Sequence, residues 1–88
     1  MNLEKRFKQH ANAHTKEQLL THLNNIIKFG RKNIENFDSI NNMYIQKAIK
    51  GELEKLTKYQ IVELKFQLRR AIDKAQLSED YESSVSYY

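Results

Sequence analysis

Three histidines are the first residues in this chain whose type and spacing could do chemistry. His10 and His14 stand four residues apart, which puts two imidazoles on one helix face, as a helical metal site needs. His22 could add a third ring nitrogen from the next helix. No Asp or Glu joins them at ligand spacing, and the chain contains no Cys. Two histidines on the edge of a small N-terminal apolar face explain the spacing more simply, so no metal and no cofactor is expected.

Catalysis is expected even less. Nucleophilic or acid–base work needs paired groups in a cleft. Here, apart from Thr21, Ser and Thr fall at helix starts or near the C-terminus, and the carboxylates alternate with lysines as they do on exposed helix faces. There is neither a Gly-rich phosphate loop nor a nucleophile elbow. The expectation is a protein that is not an enzyme.

The residues that point to binding lie in the last helical stretch. Opposite its core face run Tyr59, Val62 and Phe66, bordered by Lys58, Lys65, Arg69, Arg70 and Lys74. Aromatic residues beside arginines are the usual material of interface hot spots, and they also serve nucleic acids through stacking and phosphate contact. The competing explanation is a central helix with both apolar stripes buried, between neighbouring helices or across a homodimer. A second basic group, Lys28, Arg31 and Lys32, offers possible phosphate contacts, and Lys5, Arg6 and Lys8 form a third.

Charge supports an anionic or acidic partner. All 15 Lys and Arg and 8 of the 11 acids lie in residues 1–77, giving 15 − 8 = +7; Glu79, Asp80 and Glu82 put −3 in the tail. A lysine-rich solvated surface would show the same balance. No apolar run approaches the roughly 20 residues of a membrane span, and Met1 to Lys8 lacks the apolar segment of a signal peptide. With cysteine absent as well, the expected setting is soluble and cytoplasmic, with no membrane partner.

The elements that must position these residues read as helices. With no Pro and only two Gly, chain breakers are nearly absent. Leu3, Phe7, His10, Ala11 and His14 share one arc at 100° per residue, so residues 3–13 form a short amphipathic helix. Thr-Lys-x-Gln followed by two aliphatics then occurs twice, at Thr15–Leu20 and Thr57–Val62. Each is a capping box: the Thr hydroxyl accepts from the Gln N–H and the Gln side chain accepts from the Thr N–H. Both mark helix starts. The flanking sequences diverge, so duplication is not supported.

From Thr15, the arc of Leu19, Leu20, Leu23, Ile26, Ile27, Ile34 and Phe37 stays in phase across Gly30. This predicts one helix over about 16–37, with Gly30 admitting close approach of another helix. The alternative is a helix ending at Phe29 with Gly30 as its left-handed cap. Asp38 and Ser39 are the next cap candidates. Ile45, Ala48, Ile49, Leu53 and Leu56 point inward over 39–56, with a kink or break at Gly51; Ile40, Met43 and Tyr44 fall on the opposite side. Ile61, Leu64, Leu68, Ala71, Ile72 and Ala75 make 58–77 the cleanest amphipathic helix. A helix-turn-helix reader needs short helices and a tight turn, which this pattern does not supply.

The expected fold is all-α: one small bundle-like domain of three to four helices over 1–77, with an acidic, Ser/Tyr-rich flexible tail over 78–88. Its core should draw on Leu19, Leu23, Ile26, Ile27, Ile49, Leu53, Leu56, Ile61, Leu64, Leu68 and Ile72. The expected function is a non-enzymatic helical regulator or inhibitor that docks on a larger protein, with a nucleic-acid-handling protein among the candidates. The alternatives are direct, mostly sequence-independent nucleic-acid binding by the basic body, and a homo-oligomeric structural subunit.

Overall fold

The computed structural model describes residues 3–85, with side chains described as far as residue 77. Helix α1 spans Leu3–Asn12, α2 Lys16–Asn33, α3 Met43–Lys50 and α4 Lys58–Val85, with single 3-10 turns at Phe37–Ser39 and Leu53–Lys55. The fold is all-α, and no strand occurs among the described residues. The backbone of α4 continues past the expected limit of 77 to Val85, into the segment expected as a flexible tail over 78–88; residues 86–88 lie outside the described residues.

Helix α4 is the hub: α1, α2 and α3 each pack against it, α2 most extensively. Leu19 and Leu23 of α2, Ile45 of α3, and Ile61, Leu68 and Ile72 of α4 are fully buried at the centre. Burying side chains of this size contributes about 1.5–3 kcal/mol each. Ile27 and Leu64 are buried as expected, while Ile26, Ile49, Leu53 and Leu56 are half-buried at the margin. The core also takes Ala11, Ile34, Phe37, Ile45 and Ala48, which lie on the expected apolar arcs though outside the expected core set, and Val62, which was expected on the opposite stripe. Met43 is exposed, but Ile40 and Tyr44 pack against the core from the side expected to face away.

Both capping boxes form. Thr15 Oγ1 accepts from Gln18 N at 3.1 Å, and Thr15 N donates to Gln18 Oε1 at 2.8 Å. At the second box, Thr57 Oγ1 accepts from Gln60 N at 3.2 Å and Thr57 N donates to Gln60 Oε1 at 2.9 Å. Each helix therefore starts with two N–H groups answered reciprocally by the box.

Helix α2 runs unbroken through Gly30, so the left-handed cap alternative is discarded. It ends at Asn33, four residues short of the expected limit. Asn36 adopts the left-handed conformation (φ 59°, ψ 33°), which its short polar side chain tolerates, and the chain doubles back. Phe37 then lies over Gly30: a Cβ built there would stand 2.7 Å from the ring. The close approach predicted at Gly30 is real, but the neighbour is this ring and not a helix.

Helix α3 is shorter than the 39–56 expectation. Its cap is Asn42, whose Oδ1 accepts from Tyr44 N (2.9 Å) and Ile45 N (3.1 Å), and not Asp38 or Ser39. Asp38 instead pairs with Arg31. The break expected at Gly51 occurs: Gly51 leaves the helix at ψ 159°, and a Cβ there would run into the Lys47 carbonyl. Leu53 and Leu56 reach the core margin from the 3-10 turn that follows.

Candidate functional site

The second stripe of α4 is where α1 docks. Val62 is buried at 4% exposure. The Phe7 ring packs on Phe66 with centroids 5.2 Å apart and edge-on to Tyr59 at 6.1 Å. This corrects the expectation of an open Tyr59–Val62–Phe66 surface, since the helix that precedes the first capping box covers it. Only the flanks of Tyr59 and Phe66 stay accessible, both being half-buried.

The five cations around that stripe go to different places. Lys58, Arg69, Arg70 and Lys74 are exposed. Arg70 lies over the outer side of Phe66, its guanidinium carbon 5.7 Å from the ring centroid, in cation–π range. With Lys74, Tyr44 and Leu77 it lines an open groove of about 480 Å³ on the α3 side. Arg69 faces the other way and lines two grooves at once. One, about 260 Å³, lies between α2 and α4 and includes Ile26, Phe29 and Asp73. The other, about 250 Å³, lies between α1 and α4 and includes Leu3, Phe7 and Phe66. Consecutive arginines thus serve different grooves along α4.

Beside Arg69, Leu3 is 48% and Phe29 50% exposed. The sequence reading missed Phe29. Its signal was an aromatic about 60° beyond the edge of the α2 arc, on the side of Ile26. Among the possible phosphate contacts, Lys28 and Lys32 are exposed, while Arg31 Nε donates to Asp38 Oδ1 at 2.9 Å. Asp38 therefore offsets part of the positive charge of that group.

Lys65, the fifth cation, joins the histidines. Its ammonium donates to His10 Nε2 at 3.1 Å and to His22 Nδ1 at 3.3 Å. His14, in the turn between α1 and α2, donates from Nδ1 to the carbonyl of His10 at 2.9 Å. Its ring centroid is 4.5 Å from that of His10 and 5.3 Å from that of His22. The four side chains come from α1, the turn, α2 and α4, and all are half-buried. Desolvation, with the Lys65 charge next, holds His10 and His22 below the ordinary imidazole value. Desolvation and the neighbouring Arg69 lower Lys65 from 10.5. Lys65 lies at about 40° from Ile61 and about 60° from Val62 around α4, inside the combined apolar face.

Comparison with known proteins returns no family model, no curated protein and no solved structure that matches the chain. No helix among the described residues is long and apolar enough to cross a membrane.

Proposed function

We propose that this protein is a non-enzymatic binding module, a small helical regulator or inhibitor that docks on a larger protein through the surface centred on Arg69. The observation that carries this reading is the position of Arg69 where two grooves meet, between the half-exposed side chains of Leu3 and Phe29. A guanidinium among apolar groups suits a partner that offers a carboxylate within an apolar surround, because the pair is desolvated as the apolar rim closes. The +7 charge of residues 1–77 speeds encounter with an acidic surface. The effect on the partner is steric occlusion.

The test is capture of partners from native cell extract treated with nuclease, using wild type, Arg69→Glu, Phe29→Ser and Arg70→Glu. A protein retained by wild type and Arg70→Glu, and lost from folded Arg69→Glu and Phe29→Ser, supports the reading. Binding that disappears with nuclease, with affinity for a DNA or RNA duplex that falls steeply with salt, transfers the function to direct nucleic-acid binding.

A further inference from the structure

The helical junction that holds Lys65 has the makings of a metal site. We propose that His10, His14 and His22 bind one Zn²⁺ as a three-histidine centre, with solvent or an exogenous ligand as the fourth donor.

One ring nitrogen from each histidine lies within 4.8 Å of those of the other two. A tetrahedral zinc with bonds of about 2.0–2.1 Å holds its nitrogens roughly 3.3 Å apart, so closing the widest gap takes at most about 1.5 Å, within reach of ring rotation. The donors are all nitrogen. Neutral imidazoles without carboxylates suit zinc and its transition-metal neighbours and are poor ligands for Ca²⁺ or Mg²⁺. The His14 Nδ1–H to His10 carbonyl bond supplies the second contact that a ligating histidine commonly makes, which fixes its tautomer and leaves Nε2 with the lone pair.

Lys65 identifies where the cation goes. An ammonium has only protons to offer, so His10 Nε2 and His22 Nδ1 both present lone pairs to one point. The side chain of Lys65 puts a positive charge between the ring nitrogens of His10 and His22, with the His14 ring beside both. Zinc would take that point, and the flexible four-carbon stem lets the ammonium swing outward. No bond is made or broken beyond coordination. Because the ligands come from α1, the turn and α2, zinc would pin α1 to the body of the protein. The proposal does not depend on the docking surface.

The experiment uses the full chain at pH 7.5. Zinc binding is measured by calorimetry, Co²⁺ serves as the spectroscopic probe, and His22→Gln, His14→Gln and Lys65→Met are compared with wild type after circular dichroism has confirmed their helicity. The expected results are one zinc per chain, intense visible absorption characteristic of tetrahedral Co²⁺, and a raised melting temperature. Loss of either ligand should weaken binding by more than the roughly 10–100-fold that losing a hydrogen-bond partner of a ligand costs. Lys65→Met should tighten it, because the competing ammonium is gone. Weak binding unchanged in folded His22→Gln, an octahedral Co²⁺ spectrum, or a Lys65→Met variant no tighter than wild type would overturn the proposal.

Discussion

The ring of Phe7 rests on that of Phe66, centroids 5.2 Å apart and planes tilted by 57°. This contact decides which part of α4 is surface. It turns an aromatic stripe flanked by cations into the seat of α1, and it leaves Arg69 between the edges of α1 and α2. Phe7→Ala should therefore loosen a whole helix. A half-buried aromatic with two ring partners contributes about 1–3 kcal/mol, or some 4–8 °C of melting temperature per kcal/mol in a domain of this size. The accompanying sign is faster amide exchange confined to residues 3–12. Unchanged melting and unchanged exchange would mean that α1 is held by other contacts.

Gly30 predicts an epistatic pair. Replacing a mid-helix Gly by Ala ordinarily stabilises by about 1 kcal/mol. Here the new methyl would stand 2.7 Å from the Phe37 ring, and Phe37 is only 2% exposed, with little room to retreat. Gly30→Ala should destabilise by about 1–2 kcal/mol in urea unfolding. In a Phe37→Leu background the same change should be neutral or stabilising. A stabilising Gly30→Ala in the wild type would show that the ring is not packed there.

The two capping boxes should be worth similar amounts, since their geometry is nearly the same. Thr15→Ala and Thr57→Ala should each cost about 0.5–2 kcal/mol, and Ser at either position should restore most of it. Equal stability of the Ala and Ser variants would argue that neither hydroxyl caps its helix.

Acid should weaken the metal-free protein. His10 and His22 are held below 6.5 in the fold by desolvation and by Lys65, with His14 adding to both and His22 to His10. The unfolded chain then binds more protons than the native one once the pH falls below about 6.5, so stability is full above that value and declines below it. Urea midpoints measured with a chelator from pH 8 to pH 5 should fall, and the fall should shrink in His10→Gln. A flat profile, or one identical in that variant, would show that the cluster does not resist protonation.

Helical class, both helix starts and most of the core could be read directly from periodicity and capping chemistry, because these are local. What the sequence did not reveal came from contacts between segments distant in the chain. Nothing in residues 58–77 says that Val62 will meet α1, and the apolar stripe looked the same whether open or covered. Asn42 displaced Asp38 as a cap because the chain first doubles back at Asn36, a turn with no Gly to announce it. The histidines were visible at i, i+4, but their convergence with His22 required the turn at Asn12–Thr15, and Lys65 reached them across 55 residues of chain. The split of Arg69 from Arg70 was implicit in the 100° step between neighbours and became meaningful once the partner helices were placed.

The docking surface rests on α1 covering the aromatic stripe. An aromatic nuclear Overhauser spectrum of the full chain tests this, with Phe7 ring protons observed against those of Phe66 and Tyr59. Cross-peaks from Phe7 to both rings are predicted, together with protected amides in α1. Absence of those cross-peaks, with residues 3–12 exchanging as an unstructured peptide, would return Tyr59, Val62 and Phe66 to the surface and remove Arg69 from the centre of the site.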